Sequence, residues 1–407
     1  MKKNLKLLWR SFEYFIICSP FFVTFLIIFH IPDSKHFFSR VVLLSSLYCA
    51  VRFYKIWKKE LHQKKLIFFG AIIICCYFFL MQYLNDGNAD FPTSILYVAI
   101  YFIFFPFGLF NSNLTFLFLL IASIFSSVFS YYEVFYLKVG RAGFFALNPI
   151  PYSYFAGVCL ILTSYFILRS KLKSLPVIIF SLLSVALLFN TIILTQTRAT
   201  LLAILVIFIF MTLYLLIISP SRMKFLAIVI GYFLLPIVLW QIPIVNTRVS
   251  DAINQVHNYE YNDYKSSTGI RIKLWESGLD IASDNMILGT KRDEVESLSA
   301  EKIASQQYPS YLGSFLIHPN ANFHNQFIQV LVDSGIIGLL LICLFIFSPL
   351  IFVLKADNHY SKVTGISIVV FTGICLCFDS LFLYNHTVIL YSLVIMIFFG
   401  IRYDEKK

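Results

Sequence analysis

The chain has 407 residues, of which 59% are apolar and only 13% charged, and its mean hydropathy is +0.80. No soluble domain of this length needs so much apolar surface, so the composition excludes a soluble enzyme or binding module and points to an all-α polytopic integral membrane protein. The net charge of +11 does not indicate a nucleic-acid partner, because the basic residues lie mainly in short segments between apolar runs and no basic stripe accompanies a nucleic-acid fold.

Apolar runs of about twenty residues, each enough to cross a hydrocarbon core of about 30 Å as a helix, recur from end to end. Lys2, Lys3, Lys6 and Arg10 precede the first run. That run is too long for a signal peptide and no small-residue cleavage site follows, so it reads as an uncleaved first span. About twelve transmembrane helices are expected, near 12–31, 37–54, 66–84, 93–110, 114–132, 152–168, 175–194, 199–218, 223–241, 325–354, 363–379 and 386–401, the tenth with an amphipathic leading turn. The chain thus divides into an N-terminal bundle of about nine spans (1–240), a large polar insertion with short helices (241–323) and about three further spans (324–407). Within the insertion Ile270, Leu274, Gly278, Leu279 and Ile281 recur at roughly helical spacing, and Thr268 is a candidate cap for that helix. The eight cysteines all lie in apolar runs, where thiols behave as small hydrophobes, and they show no metal-binding spacing.

Charge sets the orientation. With the N-terminus in the cytoplasm, alternating spans put Lys55, Lys58, Lys59, Lys64, Lys65, Arg169, Lys171, Lys173, Arg222, Lys224, Lys355, Lys362, Arg402, Lys406 and Lys407 on the cytoplasmic side. The short external segments hold few cations, and Asn85 to Asp90 is acidic. By the positive-inside rule both termini are expected in the cytoplasm and the insertion outside.

The residues that can carry chemistry gather on that external face. His324, in Asn322-Phe-His-Asn-Gln-Phe327 just before the tenth span, is a group able to take up a proton near neutral pH. Asn322 is the expected N-cap, which places His324 in the first turn. The competing reading is an interfacial histidine that bonds to loop backbone. Arg198 follows Thr195-Gln196-Thr197 in a polar break between two spans, where an arginine marks either a functional site or a side chain snorkelling to the interface. Arg271 follows Gly269-Ile270 on the insertion helix, where a plain surface arginine is equally in keeping. All three are expected in the first turns of helices that start on the external face, and two guanidiniums at such ends suit a pyrophosphate. Asp379, at the external end of the eleventh span, can orient His324, pair with an arginine or simply end the helix. His318, Asn325 and Gln196 are supporting candidates in the same segments. No catalytic metal or other cofactor is expected, and Gly335-Ile-Ile-Gly338 reads as a close-packing element.

These residues resemble those of the bacterial O-antigen ligase family, which shares a domain with O-antigen polymerases. The carrying segments are Leu194-Thr-Gln-Thr-Arg-Ala-Thr-Leu201, Gly269-Ile-Arg271, and His324-Asn325 followed by Asp333-Ser-Gly-Ile-Ile-Gly338, together with the span layout and the late loop. No motif of the N-terminal third contributes. The resemblance implies a metal-independent, inverting glycosyltransferase of GT-C-like helical architecture in the bacterial inner membrane. Such an enzyme transfers O-antigen from undecaprenyl pyrophosphate to lipid A–core at the periplasmic face. It further implies His324 as general base, Arg198 and Arg271 as ligands of the donor pyrophosphate, and Asp379 as an acidic group near the site. Two rivals stay open. One is an O-antigen polymerase using the same donor, against which the Thr-Gln-Thr-Arg context speaks. The other is a flippase or transporter, which usually shows repeat symmetry and midplane polar breaks rather than polar groups gathered at one face.

Overall fold

The computed structural model describes residues 2–145, 147–169, 175–218, 240–241, 243, 246–247, 249–251, 253–254, 264–317 and 322–405, with side chains between residues 12 and 402. Every regular element among them is helical. In chain order the helices are α1 (Lys2–Leu26), α2 (Lys35–Arg52), α3 (Tyr54–Asn85), α4 (Asp90–Phe104), α5 (Ser112–Tyr131), α6 (Pro149–Arg169), α7 (Leu175–Thr195) and α8 (Arg198–Ile218). Then follow α9 (Ser267–Asp284), α10 (Arg292–Ala304), α11 (Gly313–Leu316), α12 (Gln326–Phe347), α13 (Pro349–Leu354), α14 (His359–Phe378) and α15 (Asn385–Glu405).

Eight of these helical stretches are long and apolar enough to cross a membrane: α3, α5 with its π-helical extension to Tyr136, α6, α7, α8, α12 with α13, α14 and α15. Of the about twelve expected spans, eight are found among the described residues, and the reasons for the difference are local. The apolar part of the first helix runs only from Phe12 to Leu26, and α4 is equally short. The second expected span forms α2, which carries Lys35, His36, Arg40 and Arg52 with three serines between them. The expected span 223–241 lies almost wholly outside the described residues. Helix α3 runs well beyond its expected start at 66, because only Phe53 separates it from α2.

Helix α6 is the axis of the bundle: 89% of its apolar window is buried, against 22% for α3 and α8. It starts at Pro149-Ile-Pro151, where prolines cost no helical bond, with the Asn148 side chain accepting from Ile150 N at 3.0 Å as a cap. Its Tyr154 ring stacks on Phe371 of α14, and the Tyr154 hydroxyl bonds Thr372 Oγ1 at 3.0 Å. At the opposite end of the bundle from the insertion, buried Lys64 bonds Glu60 at 2.8 Å and the carbonyls of Ile103 and Phe105. The Glu60 carboxylate in turn accepts from Phe107 and Gly108 N. Both charges are thus hydrogen-bonded, the condition under which buried ions persist.

The insertion has a core of its own. Leu274, Ile281, Ala282, Val295, Tyr308, Leu312, Leu316 and Phe323 bury together with Leu331 and Val332 of α12. Helix α12 therefore serves both cores, with Leu331 and Val332 in that of the insertion and Val330, Ile342 and Ile346 in that of the bundle, and it carries a break. Gly335 has φ 64° and ψ −169° inside the helix, a combination open to glycine. The backbone groups released there find other partners. Ile336 N donates to Met286 O at 2.8 Å and Thr290 N donates to Val332 O at 2.7 Å. Asp333 O accepts from Asn85 Nδ2, and Ser334 O accepts from the Tyr77 hydroxyl.

A Cβ at Gly335 would lie 2.1 Å from Ile287 O, whereas one at Gly70 on α3 meets nothing. Gly335→Ala is expected to destabilise by roughly 1–3 kcal/mol or more, from φ strain and the clash, and Gly70→Ala to be neutral or slightly stabilising. Thermal melts of the two purified variants in one detergent check this.

Candidate functional site

His324 and Asp379, expected on the same face, are in contact: His324 Nδ1 lies 3.2 Å from Asp379 Oδ1. The carboxylate is nearly buried and the imidazole keeps a quarter of its surface. A carboxylate only accepts, and Asp379 Oδ1 already takes Ser380 N at 2.8 Å. The pair is therefore satisfied when Nδ1 carries the proton, which leaves the Nε2 lone pair for another partner.

Local structure departs from the expected first-turn placement. Asn325, not Asn322, caps α12, its side chain accepting from Phe327 and Ile328 N. Asn322 instead accepts from His324 N at 2.8 Å in an Asx turn. His324 thus stands just before the helix with φ 50°, a left-handed conformation unusual for a residue with a Cβ. Ring contact with Phe315 covers one side of it. Two buried glutamines of α12 hold the flanking backbone: Gln329 Oε1 accepts from Phe323 N and Gln326 Oε1 from Phe382 N. Reading by residue type alone singled out neither, because their roles are bonds to backbone outside their own helix.

Arg198 is the first residue of α8, as expected. Two residues on, Thr200 bonds Ser153 Oγ at 2.7 Å and lies against the Cys375 thiol, so α8 starts beside the end of α14 that carries Asp379. Arg198 also faces Asp251 at 3.6 Å. Arg271 lies two residues deeper in its helix than expected, because Ser266 rather than Thr268 is the cap. One turn beyond it, Trp275 packs on Phe378, next to Asp379. Gly278 then lets α9 press against Phe323 and Ile328, where a Cβ would come within 2.8 Å of either side chain. Three helix ends and one helix face thus gather around the His324–Asp379 pair. His318 lies outside the described residues. Among those described, no group of three or more His, Cys, Asp or Glu could hold a metal ion.

Arg141 is a further cation of this face that residue type did not single out. Its Nε donates to Thr195 O at 2.9 Å and its Nη2 to Thr197 Oγ1 at 3.4 Å. Gln196, at φ 55°, donates from its amide to Gly140 O, and Ala142 N donates to Leu194 O. The 140–142 segment and the Thr-Gln-Thr turn therefore clasp each other, and the clasp sets where α8 and Arg198 begin. Glu133, almost fully buried, anchors the loop by accepting from Gly143 N and Phe145 N. The available signal was a cation on the face that the charge bias leaves poor in them. Tyr384 closes the same side, its hydroxyl bonded by Asn148 and its pKa pushed up to about 12 by burial and then by the Asp379 charge.

Arg141→Ala removes a charged donor from two acceptors, an interaction worth about 1.5–3 kcal/mol. Amide exchange at Ala142 and Gln196 is expected to quicken by roughly ten- to a hundredfold, with partial protection in Arg141→Lys. Hydrogen exchange resolved to single peptides measures it.

Residues 183–343 match the family model described as O-antigen ligase. An uncharacterized protein of Haemophilus influenzae is 24% identical over 121 residues, which is 30% of this chain and 29% of that protein. The similarity thus spans less than a third of that relative. The matched region takes in Arg198, Arg271 and His324 and stops short of Asp379, while Arg141 precedes it. Residues 183–343 are therefore similar to the O-antigen ligase family, and the helix that carries Asp379 to His324 follows that region.

Proposed function

We propose that this protein is an O-antigen ligase of the bacterial inner membrane. It transfers O-antigen polysaccharide from undecaprenyl pyrophosphate to a sugar hydroxyl of lipid A–core at the periplasmic face, with both termini in the cytoplasm. The observation that carries the reading is the His324–Asp379 contact, close to the start of α8 with its Arg198 and to the Trp275 side of the helix that carries Arg271, in a chain whose residues 183–343 match the O-antigen ligase model.

In this mechanism His324 Nε2 takes the proton of the acceptor hydroxyl as its oxygen attacks the anomeric carbon. The bond from that carbon to the pyrophosphate oxygen breaks on the opposite side, so the configuration inverts. Undecaprenyl pyrophosphate leaves with the bonding pair. Asp379 holds the imidazole in the productive tautomer and offsets its charge once protonated. Arg198 and Arg271 bind the pyrophosphate and oppose the negative charge that grows as it departs. Arg141 acts through the Thr195–Thr197 turn and so positions Arg198.

His324→Ala is expected to lower transfer by about 10²- to 10⁴-fold, Arg198→Ala by about 10²- to 10³-fold, and Asp379→Ala by roughly 10²-fold or more, each with normal amounts of protein in the membrane. The test is a lipopolysaccharide gel from a strain lacking this gene, complemented with each form. Loss of all O-antigen from lipid A–core, with long polymer retained on undecaprenyl pyrophosphate, is the expected result. A core bearing a single repeat unit would identify a polymerase instead, and an unchanged ladder would overturn both readings.

A further inference from the structure

The insertion is polar, yet the turn between α9 and α10 exposes three successive apolar side chains: Met286 at 56%, Ile287 at 65% and Leu288 at 49%. Their backbone is not loose. Met286 O accepts from Ile336 N at 2.8 Å and Leu288 O from Asn85 Nδ2 at 2.8 Å. Gly335 lets the Ile287 carbonyl come so close that no side chain fits between them. The turn is held rigidly against the break in α12, with its side chains pointing away from the protein.

Two spans independently give the level of that contact. The uncharged run 335–354 of α12 and α13, at 1.5 Å per residue, is about 30 Å long, the thickness of a hydrocarbon core. It begins at Gly335. The uncharged apolar run of α3 ends at Leu84, directly before Asn85 and Asp86. Both limits fall where Asn85 bonds Leu288 O and Asp333 O. On either side of the turn lie lipid-facing residues of those helices, with Tyr83, Leu84, Ile337 and Leu340 all exposed. The three side chains of the turn continue that surface rather than standing apart from it.

We infer that Met286–Leu288 is a membrane-inserted wedge, seated in the acyl chains at the edge of the leaflet beneath the insertion. Lipid is the occupant because the turn lies at the level where two spans enter hydrocarbon and is continuous with their lipid-facing sides. The wedge fixes the height of α9, and so of Arg271, above the bilayer. The inference stands whatever the reaction of the site.

The test is tryptophan placed at Ile287 in the full chain, reconstituted into phospholipid vesicles, with the unsubstituted protein as background and Leu340→Trp as a control inside the bilayer. The emission added by Ile287→Trp is expected to be lost in vesicles of lipid brominated near the glycerol and largely kept in vesicles of lipid brominated near the chain ends. Aqueous iodide should leave it intact. Leu288→Trp serves as a second probe and should respond in the same way. Quenching by iodide would overturn the inference by showing the turn in water, and resistance to both quenchers would overturn it by showing the turn covered by protein.

Discussion

The break in α12 at Gly335 is the constraint on which the placement of everything else depends. Within or beside hydrocarbon, backbone groups released from a helix have no water to turn to and must find partners in the protein. Here the partners come from the 286–290 turn, from Asn85 and from Tyr77. The same bonds that repair the break therefore dock the insertion on the bundle. They divide α12 between two cores, one made with α9 to α11 and one with the bundle. His324, two residues before this helix, inherits its position from both.

The polar residues around His324 show how a membrane protein keeps a charged site in order. Most of their hydrogen-bonding capacity is spent on backbone: Asn325 on the first amides of α12, Gln326 and Gln329 on the amides beside Asp379 and His324, Gln196 and Arg141 on the turn before α8. Residues bonded in this way cannot swing freely, so His324 and the start of α8 sit on fixed supports. The two left-handed residues His324 and Gln196 lie immediately before or within these supports. Such conformations persist where surrounding bonds over-determine them.

The residues of the site were partly legible in the sequence because ionisable groups are rare in so apolar a chain. His324, Arg198 and Asp379 stand out as charges at span ends, and the structure brings the first and third into contact and sets the start of α8, where the second lies, beside the end of α14. Their local geometry was less legible. Two asparagines at 322 and 325 and two hydroxyl residues at 266 and 268 compete as caps, and neighbouring contacts, not propensity, chose between them. Arg141 went unseen because its role is a long-range bond to a turn more than fifty residues away, a partnership that leaves no local pattern.

The sequence by itself determined the class of this protein and most of the spans, because solubility in a bilayer demands long uncharged runs and puts most charges at their ends. Tertiary structure alone decided which of those charges meet. It set Asp379 on His324, joined the 140–142 loop to the Thr-Gln-Thr turn and drew the turn after α9 down onto the break at Gly335. The physical reason is that hydropathy fixes only the depth of a residue along the membrane normal. Its neighbours in the plane depend on how helices pack and on which backbone groups remain to be paired, and neither is written in any single segment.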